Sequence, residues 1–245
     1  MRVALVTGAA GGIGEAVVRR LLRARFRVLA ADCDQEGLER LGSALPAVIP
    51  QPLDVADADQ VVRVAAEVAS RHGRLDVLVN AAGLFRRTPA LEMREEVLRA
   101  LVEVNLMGAL RCASAFGALM ARQPVRGGGP RGRIIHVASV SALTGAATAS
   151  VYAATKAGLV AATRSAAREL APWGITVNAV APGLVDTPML EPERALVEKF
   201  LLPRIPAGRL ARPQEVAEVV GFLATCRTSY LTGSVLVLDG GLHAG

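Results

Sequence analysis

Short runs of apolar residues alternate along the chain with longer stretches in which apolar residues recur every three or four positions. The short runs are rich in Val, Ile and Leu and are bounded by Gly, Pro or polar residues, which is typical of β-strands. They predict seven strands, at residues 3–7, 27–31, 47–50, 75–80, 133–138, 175–181 and 234–238. The longer stretches predict helices at residues 12–25, 35–42, 58–72, 94–122, 151–171 and 213–225.

This alternation of strand and helix predicts parallel strands joined by right-handed crossovers, with helices on both faces of the sheet. The predicted strands are apolar throughout, which is expected where both faces of a strand are buried. We therefore expect an α/β protein of the Rossmann type, a doubly wound seven-stranded parallel sheet. Residues 1–245 contain no stretch that resembles an interdomain linker and should form a single domain.

Residues 186–206 interrupt the pattern. They carry four prolines around a short helical piece, and are called the proline-rich segment below. Such irregular segments often form mobile walls beside a site, because function concentrates on loops that a rigid scaffold positions. We expect the proline-rich segment to have this role.

Composition excludes several classes of protein. With 52% hydrophobic and 20% charged residues, the chain of 245 residues can bury a sizeable core and is not expected to be disordered. No uninterrupted apolar run approaches the roughly 20 residues of a membrane-spanning helix, and a strand pattern that starts at once leaves no room for a signal peptide. The three cysteines lie far apart without a C-x-x-C pattern or a histidine cluster, so neither a disulfide framework nor a metal site is expected. These features predict a cytoplasmic protein that contacts no membrane.

The net charge of +6 adds little. The basic residues are spread along the chain, and a basic charge without a recognition motif does not indicate nucleic acid, so no such partner is expected. The identity of the basic residues is more informative, because 26 of the 28 are arginines and only Lys156 and Lys199 are lysines. Asparagine occurs three times and tyrosine twice. The positions at which these scarce residue types remain are therefore candidates for function.

A glycine-rich motif lies where the first predicted strand ends and the first helix begins. It places Gly8, Gly12 and Gly14 in the spacing T-G-x-x-x-G-x-G. Glycines at such a junction allow a sharp turn and let a pyrophosphate approach the amide groups of the helix N-terminus. Asp32 closes the second strand, where a carboxylate accepts hydrogen bonds from the adenosine ribose and repels a 2′-phosphate. Together they predict a dinucleotide site that takes NAD rather than NADP, although capping of the next helix is another role open to Asp32.

Tyr152 and Lys156 lie four residues apart at the start of a predicted helix and so share one face. A phenol with a pKa of about 10 is a poor base at neutral pH, and a nearby ammonium favours the phenolate. Ser139 lies thirteen residues earlier, at the end of the fifth predicted strand. We interpret these three side chains as a candidate catalytic group.

Taken together, these motifs resemble the short-chain dehydrogenase/reductase family. The resemblance extends over nearly the whole chain. It rests on the following residues, in the order and spacing of that family: Thr7–Gly14, Asp54 and Val55, Asn80 to Gly83, Asn105, Ser139, Tyr152 and Lys156, Asn178, and Pro182 with Gly183. One departure is Ala81, where the family commonly has a second asparagine, which puts the rigidity of this turn in doubt.

The resemblance implies a role for each matched residue. In the cofactor site, Gly8, Ile13 and Gly14 line the pyrophosphate, Asp54 and Val55 contact the adenine, Asn80 borders the cofactor, and Val185 meets the carboxamide through its backbone. In the catalytic group, Tyr152 is the general acid or base, Ser139 binds the substrate oxygen, Lys156 holds the nicotinamide ribose and lowers the pKa of Tyr152, and Asn105 orients a water that leads to Lys156. The implied reaction is hydride transfer between NAD(H) and a secondary alcohol or ketone.

Several substrates remain open for this reaction. The β-ketoacyl-carrier-protein reductases share the overall pattern but typically use NADPH, which conflicts with Asp32. The 2,3-dihydro-2,3-dihydroxybenzoate dehydrogenases use NAD and share the Asn-Ala-Ala-Gly sequence, and in that case Arg86 would pair with a substrate carboxylate. A secondary-alcohol or steroid-like dehydrogenase is favoured by the small apolar residues Leu143, Ala146 and Ala147.

Three further expectations concern partners. A basic docking patch for an acidic carrier protein is possible at Arg126, Arg131 and Arg133, which are otherwise solvated loop residues. A dinucleotide-binding protein without activity is disfavoured, because Ser139, Tyr152 and Lys156 are all present. By analogy with the family, the chain is expected to form a homotetramer.

Overall fold

A computed structural model describes residues 1–125 and 128–243 of the chain. Within those residues, seven parallel strands form one sheet in the order β3-β2-β1-β4-β5-β6-β7. Their bounds are β1 Arg2–Thr7, β2 Phe26–Asp32, β3 Val48–Pro52, β4 Val77–Asn80, β5 Gly132–Val137, β6 Ile175–Pro182 and β7 Val235–Leu238. The predicted fold class is confirmed: the molecule is an α/β protein with a doubly wound sheet.

The helices fill the crossovers between the strands. They are α1 Gly12–Arg23, α2 Gln35–Ala44, α3 Ala58–His72, α4 Glu95–Val102, α5 Ala109–Arg122, α6 Ser141–Thr144, α7 Ser150–Leu170, the single turn α8 Arg194–Leu196, and α9 Pro213–Thr225. A π-helical turn, Glu103–Gly108, joins α4 to α5. The helix predicted over 94–122 is therefore present but interrupted.

The sheet is buried on both faces, which explains its unbroken apolar strands. On β1, Ala4 and Val6 pack into a cluster supplied mainly by α1 and α9. Val3 and Leu5, which point the opposite way because strand side chains alternate, pack into a second cluster with α3 and α5. Because neither face of the sheet is exposed to water, polar side chains at every second strand position would be destabilising here.

Side-chain caps fix where two helices begin. Asp34 accepts a hydrogen bond of 2.9 Å from the backbone N–H of Gly37 and caps α2. Asp57 accepts one of 2.9 Å from Gln60 and caps α3. The predicted starts at residues 35 and 58 are confirmed for this reason.

One helical stretch, Glu95–Arg122, is long and apolar enough to cross a membrane by length and composition alone, which the sequence analysis did not anticipate. Buried helices of soluble proteins pass the same test. In this fold Phe116 and Met120 of that stretch are fully buried in the cluster beneath the sheet. The apolar character of the stretch is thus used in packing.

The strand order reverses between β1 and β4, from which the chain winds outward in both directions. In open parallel sheets, ligands bind at the carboxyl ends of the strands beside such a reversal. The turns that follow β1, β2 and β4, together with the ends of β5 and β6, meet at this edge. This edge of the sheet is therefore where a ligand site is expected.

Candidate active site

The turn after β1 is packed so closely that only glycine fits at two positions. Gly8 has a φ of +67°, and a Cβ on it would lie 2.7 Å from Cα of Ala82. A Cβ on Gly14 would lie 1.9 Å from the carbonyl oxygen of Gly8. No side chain caps the N-terminus of α1, in contrast to α2 and α3. The backbone amides of this terminus are therefore available to an anion, as a pyrophosphate site requires.

Thr7 ties this turn to the turn after β4. Its Oγ1 accepts hydrogen bonds of 3.2 Å from the backbone N–H groups of both Ala81 and Ala82. Ala81 is the position at which the sequence departs from the family pattern. The bonds to Thr7 hold this turn through its backbone, so a side-chain contact from position 81 is not needed to fix it.

Asp32 lies directly against the glycine turn. Its Oδ2 accepts a hydrogen bond of 2.9 Å from the backbone N–H of Ala10, and its Oδ1 one of 3.0 Å from Asp34. Because Asp34 caps α2, the alternative role of Asp32 as that cap is excluded. Burial, followed by the charges of Asp32 and Asp54, raises the pKa of the Cys33 thiol. A negative field thus surrounds the end of β2.

Asp54 and Val55 follow β3 on the same edge. Asp54 accepts a hydrogen bond of 2.9 Å from the backbone N–H of Ala56, and Leu53 donates 2.9 Å to the backbone oxygen of Asp32. Val55 is buried and packs against Gly108 in the π turn. Both residues follow the strand that pairs with β2, and their contact with the adenine stays a prediction.

A cleft of about 550 Å³ opens at the ends of β5 and β6. Five of the predicted site residues line it: Ile13, Ser139, Tyr152, Lys156 and Val185. The other predicted residues, Gly8, Gly12, Gly14, Asp32, Asp54, Val55, Asn80 and Asn105, do not line this cleft. The structure therefore separates a cleft with the catalytic group from a neighbouring strip along the ends of β1 to β3.

The three catalytic candidates contact one another or the same strand end. The Ser139 side chain lies close enough to the Tyr152 hydroxyl to lower its pKa, and its hydroxyl oxygen accepts a hydrogen bond of 3.2 Å from the backbone N–H of Ser141. Lys156 is only 5% exposed, and its Nζ donates a hydrogen bond of 2.9 Å to the carbonyl oxygen of Val137. That Nζ lies 5.8 Å from the centroid of the Tyr152 ring. The amine thus lies within the protein beside the phenol.

Burial dominates the titration of this group. It raises the pKa of Tyr152 above 10, and the neighbouring Ser139 side chain opposes this shift. It lowers the pKa of Lys156 from its usual 10.5 to about 8. In the ligand-free protein, burial therefore sets the direction of the Tyr152 pKa, and the expectation that Lys156 lowers this pKa stays a prediction.

Asn105 lies on the π turn and does not face the cleft. Its Oδ1 accepts a hydrogen bond of 2.7 Å from the backbone N–H of Leu84, and its Nδ2 donates one of 2.9 Å to the backbone oxygen of the same residue. Its Oδ1 and the Nζ of Lys156 are each 3.4 Å from the point that a Cβ on Gly83 would occupy. Asn105 therefore braces the loop after β4 right beside the amine.

The π turn keeps the buried face of this helix in phase. Leu101 and Met120 are both fully buried, yet they are 19 positions apart, about a quarter turn out of phase in a helix with 3.6 residues per turn. A π turn accommodates one extra residue. The remaining 18 positions make five whole turns, so both side chains face the core while Asn105 is directed at Leu84.

Asn80 and His136 pack below the cleft. The Nδ2 of Asn80 donates 3.1 Å to the oxygen of Ala109 and lies 3.2 Å from Nδ1 of His136. Burial, and then the charge of Lys156, lowers the pKa of His136 to about 4, so its ring is neutral and can accept this bond. The side chain of Asn80 thus joins β4 to α5 and β5. If Asn80 borders the cofactor, as the resemblance implies, its backbone makes that contact.

Asn178 also has a structural position. Its Nδ2 donates 2.9 Å to the oxygen of Leu231, and its Oδ1 accepts 3.0 Å from Ser234. These bonds hold the connection that leads into β7. This matched asparagine stabilises the sheet edge and contributes nothing to the cleft.

In the part of the chain that the structure describes, two residues of the candidate docking patch bind backbone carbonyl groups. Arg131 donates 2.8 Å to the oxygen of Trp173 and 2.6 Å to that of Gln123. Arg133 is buried in β5 and donates 2.7 Å to the oxygen of Cys226. Arg126 lies outside the described residues. Since both described guanidinium groups bind backbone carbonyls, they do not form a docking surface.

Two cleft residues were missed by the sequence analysis. Phe85 packs edge-on against Tyr152, with ring centroids 5.2 Å apart. Arg87 lines the cleft, whereas Arg86, the predicted carboxylate partner, does not; Arg86 donates a hydrogen bond of 2.7 Å to the backbone oxygen of Phe85. The scarcity of aromatic residues, 3% of the chain, was the one available signal for Phe85. None distinguished Arg87 from Arg86.

Within residues 1–125 and 128–243, no group of three or more His, Cys, Asp or Glu side chains is placed to hold a metal ion. The polar groups of the cleft include the Ser139 hydroxyl, the Tyr152 phenol, the Lys156 amine, and the pair formed by Arg87 and Glu193.

The fold and this site together define an oxidoreductase built on a Rossmann sheet. A family model described as enoyl-(acyl carrier protein) reductase matches residues 8–243. A 3-oxoacyl-(acyl-carrier-protein) reductase of Thermotoga maritima is 41% identical over 98% of this chain and 97% of its own length. A cis-4-hydroxycyclohexanecarboxylate dehydrogenase of Sinomonas cyclohexanicum is 40% identical over 99% of this chain and 97% of its own length.

A solved structure gives the same assignment. The crystal structure of a short-chain type dehydrogenase/reductase from Mycobacterium marinum superposes with a TM-score of 0.92 at 32% identity, covering 100% of this chain and 96% of that one. The protein belongs to the short-chain dehydrogenase/reductase family, as its motifs predicted.

Proposed function

We propose that the protein is an NAD(H)-dependent oxidoreductase that interconverts a secondary alcohol and a ketone. In this proposal residues 1–245 form one dinucleotide-binding and catalytic domain. The observation that carries it is the meeting of Ser139, Tyr152 and Lys156 in one cleft, at the edge of the sheet where the strand order reverses. These side chains provide a positioned proton donor, which is the protein's share of such a reaction.

The strip beside the cleft fits a nicotinamide dinucleotide. The uncapped N-terminus of α1 and the close turn at Gly8, Gly12, Ile13 and Gly14 would hold the pyrophosphate. Asp32 would hold the adenosine ribose, and Asp54 and Val55 would lie against the adenine. The nicotinamide end would be bordered by Tyr152, Lys156 and the backbone at Val185. Asn80, at the end of β4, would border the cofactor beside them. When bound, the dinucleotide gives or takes the hydride.

The chain's own residues handle the proton. In the direction of ketone reduction, the Tyr152 hydroxyl donates its proton to the substrate oxygen while Ser139, which lies beside that hydroxyl, aligns the oxygen. The phenolate left behind is stabilised by the ammonium of Lys156. Asn105, which braces the loop beside Lys156, would position the water that returns a proton. In the oxidative direction Tyr152 accepts the proton instead.

The preference for NAD over NADP rests on charge. Two carboxylates, Asp32 and Asp54, act on the end of β2, and a 2′-phosphate there would meet like charge. Arg40 lies on α2, but it pairs with Asp34 at 3.6 Å and with Glu36 at 3.9 Å. Its guanidinium group therefore already faces two carboxylates, with which a 2′-phosphate would have to compete.

The substrate is proposed at the level of a class. The names of the relatives cover a 3-oxoacyl thioester reductase and a hydroxycycloalkane carboxylate dehydrogenase, both acting at a secondary oxygen. The cleft walls, from Thr144 to Ala149 and along the proline-rich segment, are mainly apolar. A β-ketoacyl-carrier-protein reductase is the second candidate, favoured by the 41% identity; a 2,3-dihydro-2,3-dihydroxybenzoate dehydrogenase is a third.

A paired screen tests this proposal. Reduction and oxidation are measured with NAD(H) and with NADP(H) against ketoacyl thioesters, cyclic diols, hydroxycycloalkane carboxylates and simple ketones. We expect turnover of at least one class with a higher kcat/KM for NAD(H). A higher kcat/KM for NADP(H) would show that the argument from Asp32 is wrong, and binding of dinucleotide without any turnover would favour a non-catalytic protein.

We also propose a cytoplasmic homotetramer. Exposed apolar residues lie on the stretch Glu95–Arg122, at Val102 and Met107, and on α9 and β7, at Phe222 and Val237. Large exposed apolar side chains grouped on helices and an edge strand are typical of subunit interfaces. Light scattering after size exclusion should give four times the monomer mass; a monomer would contradict this part of the proposal.

A further inference from the structure

One ion pair joins the two walls of the catalytic cleft. Arg87, on the loop after β4, pairs through Nε and Nη2 with both carboxylate oxygens of Glu193 in the proline-rich segment; the Nε contacts are 2.9 and 2.8 Å. Its Nη1 lies 3.3 Å from the hydroxyl oxygen of Thr148. All three residues line the cleft that holds Tyr152. This two-pronged pairing is the geometry that a free carboxylate ligand adopts on arginine.

Glu193, the partner of Arg87, lies on a segment that can be displaced at low free-energy cost. Residues 188–204 form only short 3₁₀, π and single α turns. Within the proline-rich segment, Val197 and Ile205 are its buried residues. Segments with few buried apolar contacts open at low free-energy cost. Displacing Glu193 therefore requires little unpacking.

The charges of the cleft also suit an anion. Arg204 lines the same cleft and has no side-chain partner among residues 1–125 and 128–243. Arg194, next to Glu193, is by contrast held within the segment by Asp186 and Glu191. When a substrate carboxylate replaces Glu193 on Arg87, one anion exchanges for another, and Arg204 remains in the cleft as a second cation.

We propose that Arg87 determines substrate specificity, by binding a carboxylate of the substrate at the site that Glu193 occupies in the free protein. The inference rests on the proposed function, since it names the chemical class of that function's substrate: a hydroxy or keto acid whose carboxylate is remote from the reacting carbon. Arg87 is a binding residue in this account and takes no part in proton transfer.

The test compares acids with their uncharged amides. The probes are 4-oxopentanoate, 5-oxohexanoate, 6-oxoheptanoate and 4-oxocyclohexanecarboxylate, each against its carboxamide, which together sample several distances between carbonyl and carboxylate. The wild-type kcat/KM for the best acid should exceed that of its amide by about tenfold, the lower end of what a charge-assisted pair provides, because Arg87 is partly exposed.

The ratio of kcat/KM for the acid to kcat/KM for the amide is then measured in four variants. R87L should bring it to about one, mainly through KM, and R87K should leave an intermediate value because lysine lacks the fork. E193Q should raise the ratio above wild type, since the competing carboxylate is gone. R86L is the matched control, an exposed arginine bonded to its own loop, and should leave the ratio unchanged.

Binding separates this inference from the proposed function. The same acids and amides are titrated calorimetrically into Y152F, which is expected not to turn them over, and into Y152F carrying R87L. Acid-selective binding that R87L abolishes supports the inference even if no ketone is ever reduced. Equal effects of R87L on acids and amides across the whole series, or no acid preference in the wild type, would overturn it and leave Arg87 and Glu193 as a structural clasp.

Discussion

The protein should become more stable when the buried amine of Lys156 is removed. Lys156 is almost fully buried as a cation, and burial lowers its pKa from 10.5 to about 8. One pKa unit corresponds to about 1.4 kcal/mol, so the folded state carries a penalty of about 3 kcal/mol for holding this amine charged. Lys156→Met removes the penalty together with the bond to Val137, which is worth about 1 kcal/mol. The net gain at pH 7 is about 2 kcal/mol.

The sign of the pH dependence follows from linkage. Because the folded pKa lies below the unfolded one, the unfolded chain binds the proton more tightly between pH 8 and pH 10.5, and stability of the wild type rises with pH across that window. The penalty is fully present below about pH 8 and absent above 10.5. The advantage of Lys156→Met should therefore shrink as the pH rises through the window.

Thermal unfolding of the ligand-free protein measures this. At pH 7 the variant should unfold about 5 °C higher, the shift that about 2 kcal/mol gives in a chain of this size. Lys199→Met is the matched control, because Lys199 is the only other lysine and is exposed; it should shift the Tm little at any pH. A Lys156→Met variant that is no more stable than wild type at pH 7, or whose advantage is the same at pH 10.5, would refute the reasoning.

Three further outcomes are expected. Tyr152→Phe should abolish turnover while calorimetry still detects NADH binding, and substantial remaining activity would remove Tyr152 from its role. Burial keeps the Tyr152 phenol protonated and gives Lys156 a pKa of about 8, so kcat/KM for ketone reduction should fall above about pH 8 while that for alcohol oxidation rises; parallel profiles would contradict this assignment. Asp32→Asn should lower the kcat/KM ratio of NADH to NADPH about tenfold, the worth of one charge-assisted contact, whereas Asp34→Asn, which can still cap α2, should change it less; equal effects would point to general charge instead of a ribose contact.

The fold was predictable because local and long-range signals agreed. Each strand of the sheet is a short apolar run, and Asp34 and Asp57 mark helix starts that a side chain does cap. The π turn was missed, although its trace was in the sequence: the buried positions between Leu101 and Met120 slip by one residue, and a periodicity read over the whole stretch averages that slip away.

The site was predictable only as far as motifs reach. Ser139, Tyr152 and Lys156 do share one cleft, because a strand end and a helix start are brought to the same edge of the sheet. The rise that burial causes in the Tyr152 pKa was not predictable, since spacing along a helix reveals a neighbouring charge but not the depth of burial. Arg87 was missed in favour of Arg86 because adjacent loop residues differ in orientation, which only the backbone path decides.

The single extra residue in Glu103–Gly108 also constrains how the gene can change. Deleting one codon there would turn the stretch into an uninterrupted α-helix and rotate one half by about 100° against the other. Either the apolar face of α5 would leave the core, or Asn105 would leave Leu84. Length variation in relatives should therefore be tolerated in the surface loops and be absent from this turn, even though it lies in the middle of what looks like an ordinary helix.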